Sequence, residues 1–298
     1  MAVNVPVGDL RAQPHTAALP QTHDALQESQ LLYGEAVRVL KSADGWSYVE
    51  VLEQPEFTHA SRWGGYPGWV ASSALVPWQS LLVPTVVVTA KWAPAWRQPV
   101  LRLPSPWRFA MGTRLRGIEI GGQLWKIELL DGEILWIPHE AARSLSELAA
   151  LSPLEQRQAV VRSAQQFIGE PYFWGGRSSQ PPSQRGQAFG VDCSGLVNVA
   201  HRSVGVEIPR DAHEQFLRAR PVTALQPGDL IFLSERDNPS RIIHVMLFAG
   251  DGDVIEAPGT GSVVRRMSVA ERLGSSPEHL AAGTLVDGQT VSYGSYLP

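Results

Sequence analysis

The stretch Gly190-Val191-Asp192-Cys193-Ser194-Gly195-Leu196-Val197 holds the only cysteine of a 298-residue chain. One cysteine forms no internal disulfide and no cysteine-rich metal site. The residues that follow, Leu196 to Val204, read as a helix. The thiol therefore stands at a helix N-terminus, where the macrodipole and free N–H groups favour thiolate. A lone cysteine on an apolar helix is otherwise an inert core residue. The surrounding sequence has to choose between the two.

Composition narrows the classes of function. The chain is 44% hydrophobic and 18% charged, as expected of a folded globular protein rather than a disordered one. A formal net charge of −4 with no Lys/Arg-rich run argues against a nucleic-acid or anionic-membrane partner. No apolar run approaches the roughly 20 residues of a membrane span. The start, M-A-V-N-V-P-V-G-D-L, lacks the pattern of a signal peptide, so a cytoplasmic, reducing setting is expected, with the protein a monomer.

The first half reads as short strands separated by turns. Ala36 to Leu40 and Trp46 to Leu52 flank the turn K-S-A-D-G, and Gly65 to Ala71 follows. Thr113 to Ile120, Gln123 to Leu130 and Glu133 to Ile137 form a looser copy, with G-G and D-G turns. This repetition predicts two β-barrel units, over 1–78 and 79–143, divided near Pro77 to Pro84. From 144 to 298 the character changes to α+β. Ser144 to Leu151 reads as a linker helix, and Ser152-Pro153-Leu154-Glu155 as a capping box with proline at the first helical position. Leu154, Val161, Phe167 and Ile168 form one predicted face, with Gly169 as the stop. Strands are predicted at Asp229 to Ser234, Ile242 to Ala249 and Asp253 to Ala257.

A nucleophilic cysteine needs a histidine and a group that orients the imidazole. Among eight histidines, His244 has the best context, since alternation in R-I-I-H-V-M-L-F-A-G puts it on the face of Met246 and Phe248. The bland reading, a strand-end histidine bonded locally, stays open. Glu256 lies on the next strand. A hairpin symmetric about Gly250 sets it beside His244; a turn centred on Asp251 and Gly252 offsets the two by about three residues, roughly 10 Å. Spacing leaves both registers open, and Glu256 has a rival role as partner of Arg265 or Arg266.

Four segments in order carry a resemblance: Y-F-W-G-G-R-S-S at Tyr172 to Ser179, D-C-S-G-L-V at Asp192 to Val197, P-G-D-L-I-F-L at Pro227 to Leu233, and H-V-M-L-F-A-G at His244 to Gly250. Together they resemble the NlpC/P60 family of papain-like cysteine peptidases. The resemblance implies two SH3-like (SH3b) β-barrels followed by an α+β papain-like domain. It implies Cys193 as nucleophile, His244 as base, and Tyr172 at the oxyanion site beside the Cys193 N–H. Glu256 departs from the usual histidine, asparagine or glutamine at the third position, and an active enzyme with a raised His244 pKa is expected.

Q-L-L-Y-G-E at Gln30 to Glu35 and G-Y-P-G-W-V at Gly65 to Val70 extend the resemblance to the YkfC-type γ-D-glutamyl-L-diamino acid endopeptidases. This implies hydrolysis of a muropeptide, L-Ala-γ-D-Glu-diamino acid, with a free N-terminal L-Ala, in cell-wall peptide recycling and without metal or organic cofactor. Tyr66 would wall the site, and Asp192, Ser194 and Asp211, with Arg210 beside them, would bind the substrate amino group and backbone. A buried ammonium needs such carboxylates to replace its water. Structural roles compete for each: helix capping for Asp192, pairing with Arg210 for Asp211, barrel packing for Tyr66. Ala212 stands where a serine is common. Glu28 or Glu35 supplies a further carboxylate, and sequence does not choose. The stretch between Arg177 and Gly190 is long, and reads as an exposed loop near the cleft. A peptidoglycan-binding SH3b protein with a vestigial Cys domain, and an amidase or acyltransferase on the same scaffold, are the alternatives.

Overall fold

The computed structural model describes residues 1–16, 23–78, 83–100, 102–179 and 189–298. The stretch predicted as a loop near the cleft falls mostly outside them. The first β unit is an antiparallel sheet ordered Gln27–Leu32, Val7–Arg11, Gly64–Ala71, Trp46–Glu56, Val37–Ala43. Alternation explains its inner face: Val49, Val51, Tyr66 and Val70 point into a core with Val3, Leu10 and Leu31. The K-S-A-D-G turn behaves as read, with Ala43 paired to Trp46 around Asp44 and Gly45, both at positive φ.

The second unit has seven strands, ordered Leu103–Ala110, Trp92–Gln98, Ile134–Pro138, Leu124–Glu128, Arg114–Ile120, Val86–Val88, Ala142–Ser144. Neither strand order returns to its starting strand among the described residues, so each unit is described by its sheet. Tyr33, from the Q-L-L-Y-G-E segment, packs in the second unit's core, and its hydroxyl accepts from the Leu130 N–H at 2.7 Å.

The remainder is α+β. Helix α1 (Leu145–Ala149) is capped by Ser144, and α2 (Pro153–Gln165) carries the expected capping box at Ser152 and Glu155. Then come α3 (Cys193–Arg202), α4 (Ala212–Arg218) and α5 (Val269–Leu273). The antiparallel sheet runs Arg220–Pro221, Gln289–Ser295, Leu230–Glu235, Asn238–Gly250, Asp253–Glu256, Arg265–Ser268. Val245 and Leu247 face a core shared with α2 and α3, while Met246 and Phe248 face a second core with α5. Both faces are covered, hence the nearly continuous apolar strands.

The predicted face of α2 is corrected. Leu154 and Ile168 are exposed, at 61% and 45%, and the inner face is Arg157, Val160, Val161, Ala164 and Phe167. The physical reason is Arg157, whose buried guanidinium donates to Asp229 Oδ1 at 2.7 Å and to the Pro227 carbonyl. A paired arginine occupies the position an apolar pattern would reserve for leucine.

Two further arginines, both fully buried, tie the α+β part to the β units. Arg177 donates to the Gln30 carbonyl and to Glu35 Oε2, and Arg202 to the Gly112 carbonyl and to Glu53 Oε2. Glu35 has no solvent exposure; burial raises its pKa, but Arg177 and Arg202 overcome that and hold it below the ordinary carboxylate value. Removing one partner strands a buried charge. Arg177→Ala should therefore cost about 3–5 kcal/mol, seen as a lower urea midpoint. The double change Glu35→Gln, Arg177→Met should recover part of it.

Candidate active site

Helix α3 begins at Cys193 because Asp192 caps it: Oδ1 accepts from the Gly195 N–H at 2.6 Å. The start is earlier than the Leu196 to Val204 reading, so the sulfur sits in the first turn. Gly195 is required where it stands, since a Cβ there would lie 2.0 Å from the Gly176 carbonyl oxygen. Gly176 is equally confined, its Cβ position being 2.3 Å from the Gly190 oxygen. The glycines of W-G-G and D-C-S-G thus let the loop after Tyr172 cross closely over the helix start.

His244 comes from the strand Asn238–Gly250. Its hairpin with Asp253–Glu256 pairs Leu247 with Ile255 and Phe248 with Val254, with a register shift before Gly250 and Asp253. Neither sequence-based register holds. Continuing that ladder leaves His244 two residues past the position opposite Glu256, on the same face, a diagonal neighbour within reach of long side chains. His244 Nε2 meets Glu256 Oε2 at 2.8 Å. Nδ1 is the nitrogen left for Cys193.

Glu256 is fully buried and makes both contacts weighed for it. Besides His244 it accepts from Arg265 Nη2 at 2.7 Å and from Arg272 Nε at 3.1 Å. Arg266 pairs with Asp253 instead. Burial opposes charge on Glu256, but His244, Arg265 and Arg272 together bring its pKa down to about 2. Burial likewise opposes charge on His244; contact with the Cys193 thiol and the bond to Glu256 outweigh it and lift the pKa to about 9. The imidazolium form favours a thiolate beside it.

The thiol and imidazole open into a cleft of about 480 Å³. Tyr172 lines it, its hydroxyl kept protonated by burial and by the charges of Asp192 and Cys193. The Cys193 N–H, as a first-turn group, has no intrahelical acceptor. The opposite wall comes from the first β unit: Glu28, Glu56, Thr58, His59 and Tyr66. Tyr66 is packed in its own core yet donates to Asp211 Oδ2 at 2.9 Å. Burial, with the neighbouring Asp192 and Glu214, raises Asp211 to about 6 against the pull of Arg210.

Glu28 lines the cleft and Glu35 does not. Asp192 accepts from Gly175 N–H, Ser194 Oγ, Gly195 N–H and both Nη atoms of Arg210, so its carboxylate is engaged by the protein itself. Ser194 and the fully buried Arg210 belong to the same network. Arg210 also pairs with Asp211 at 3.5 Å. Sequence reasoning missed Glu56, His59, His213, Glu214, Arg241 and Arg272; none lies in a recognisable motif. A larger groove, about 880 Å³ between α2 and the Gly250 turn, is lined by neither cysteine nor histidine.

Residues 169–280 match the NlpC/P60 family. Two relatives named gamma-D-glutamyl-L-lysine dipeptidyl-peptidase align over most of the chain. The Bacillus cereus protein is 29% identical across 78% of this chain and 67% of its own length. The Bacillus subtilis protein is 26% identical across 84% and 78% respectively. A crystal structure of an NlpC/P60 family protein from Bacillus cereus superposes with a TM-score of 0.77, covering 100% of this chain and 99% of that one at 24% identity. The fold is shared from end to end.

The alkaline limb of the kcat/KM profile should fall near pH 9, where His244 loses its proton. Glu256→Gln removes the charge that helps hold that proton, so the limb should move to lower pH and the rate should drop. An unchanged profile and rate would remove the orienting role of Glu256.

Proposed function

We propose that this chain, whose residues 169–280 match the NlpC/P60 family, is a cysteine endopeptidase that hydrolyses the γ-D-Glu–diamino acid bond of peptidoglycan stem peptides with a free N-terminal L-Ala. We read 1–78 and 79–143 as SH3-like modules and 144–298 as the catalytic domain. The observation that carries the reading is a single cleft with Cys193 and His244 on one side and Glu28, Tyr66 and Asp211 converging from the other. Carboxylates and a phenol at a fixed distance from a thiol suit a short peptide held by its ammonium.

In the reaction the Cys193 thiolate attacks the γ-carbonyl carbon. The oxyanion develops towards the Cys193 N–H and the Tyr172 hydroxyl. Imidazolium His244 gives its proton to the departing diamino-acid nitrogen, leaving a thioester. Water, deprotonated by His244, cleaves the thioester and releases L-Ala-γ-D-Glu. Glu256 holds the imidazole and stabilises its charge throughout. An ammonium seated between Glu28 and Asp211 would also favour the ionised form of Asp211. A site that needs a free N-terminus favours released peptides over intact wall, which fits recycling.

Mass spectrometry of products from stem peptides with free and acetylated N-termini tests this. Cleavage confined to the free peptide, at the γ-D-Glu bond, is expected; equal cleavage of both would remove the ammonium pocket. Cys193→Ala should abolish turnover, by roughly 10⁴-fold or more, and full retention would remove the nucleophile.

A further inference from the structure

Among the described residues, three side chains donate to the buried carboxylate behind the imidazole, and they do not divide it evenly. Arg265 stands directly opposite Glu256 in the sheet register and puts Nε and Nη2 on Oε1, at 3.1 and 2.7 Å. His244 Nε2 takes Oε2 at 2.8 Å. Arg272 meets both oxygens through Nε, at 3.1 Å from each. Oε1 is thus clamped by Arg265, while Oε2 is shared between the imidazole and Arg272.

Local structure fixes Arg272 in that place. It lies in the last turn of α5, whose Val269 and Leu273 are buried in the core that also takes Met246 and Phe248. The adjacent carboxylate of Glu271 turns back to cap the helix, accepting from the Ser268 N–H at 3.2 Å and from Ser268 Oγ at 3.0 Å. The nearest acid in sequence therefore does not draw Arg272 away from Glu256. Arg266 pairs with Asp253. On its other side the imidazole faces Cys193 of α3. The cleft wall beyond carries Glu28, Asp192, Asp211, His213, Glu214 and Arg241. Neither Arg265 nor Arg272 lines that cleft, so a change at Arg272 leaves its wall as it is.

A second cation on one carboxylate oxygen draws on the same negative charge, and a like charge behind an imidazolium opposes its protonated form. We propose that Arg272 is a positioning residue that acts through Glu256, limiting how firmly the carboxylate holds the imidazolium. The reacting pair needs such a limit. His244 has to give its proton to the departing nitrogen and take one from water, and an imidazolium held too tightly is a poor acid. Arg265 anchors the carboxylate; Arg272 trims its pull. The inference rests on the peptidase reading for the roles of Cys193 and His244 alone and requires no particular substrate.

Alkylation by iodoacetate tests this without a peptide, because Cys193 is the only cysteine. The thiolate sulfur displaces iodide, and the imidazolium attracts the reagent's carboxylate, so the rate falls at high pH where His244 loses its proton. In Arg272→Met that fall should move up by about 0.5–1 pH unit, since Oε2 then serves the imidazole alone. Arg272→Lys should return it most of the way to the wild-type position. Adding Arg272→Met to Glu256→Gln should move it little further. A downward move in Arg272→Met, the direction expected of Glu256→Gln, would mean that Arg272 merely keeps the carboxylate in place. That result, no move at all, or an equal move with Glu256→Gln present would overturn the inference while leaving the peptidase reading intact. A wild type with no fall at high pH would remove the ion pair that both need.

Discussion

The ion pair between Asp192 and Arg210 is the contact on which the rest of the site depends. One carboxylate ends the loop from Tyr172, caps the helix that carries the nucleophile, and receives both Nη atoms of a fully buried guanidinium. The Nε of that guanidinium donates to Ser29 of the first β unit. Helix start, the loop after Tyr172 and the first β unit are thus joined through one pair of charges. A capping hydrogen bond alone contributes about 1 kcal/mol. Here it also sets the distance from the thiol to Tyr66 and Glu28.

A second charged cluster lies behind the imidazole, and its linkage to pH has two signs. His244 is raised above its ordinary 6.5, so its contribution to stability is full below that value and lost as pH climbs through about 9. Glu256 is depressed below 4.5, so its contribution is full above that value and lost as pH falls through about 2. Both are complete between about 4.5 and 6.5, and the pairing persists well beyond on each side. Arg265 and Arg272 make this possible. A carboxylate facing only His244 in a dry site would gain a proton or take the imidazole's; two guanidinium groups on its other side keep it ionised and in place.

Much of this was legible in the sequence, for identifiable reasons. Single-residue requirements with no substitute are local: Cys193 at a helix start, the capping box at Ser152 and Glu155, the Asp44-Gly45 turn. The relation of His244 to Glu256 was not, because a register shift in the hairpin gives an offset of two where spacing alone offered zero or three. The inner face of α2 was misread because hydrophobic periodicity treats a buried, paired arginine as an outward residue. Glu28 and Glu35 were indistinguishable in sequence because what separates them is not their own strand but Arg177 and Arg202, far along the chain, which claim Glu35 for the interior.

Those buried arginines bear on how the proposed division of selectivity and chemistry between separate parts of the chain is held in place. Desolvating an ion pair costs about as much as its attraction returns, and well-packed apolar residues would often serve stability as well or better. Arg177, Arg202 and Arg210 therefore say little about how stable the interface is. They say more about its geometry. An apolar interface tolerates small slides, whereas a guanidinium bound in its own plane to Asn198 and Glu35, or to Asp192 and Ser29, fits one placement. A wall built on a different β unit from the nucleophile can discriminate among peptides only if its distance from the sulfur is held to a fraction of an ångström. Directional, fully buried charge pairs meet that demand, and they explain why so many charges lie at this junction and so few within either β core.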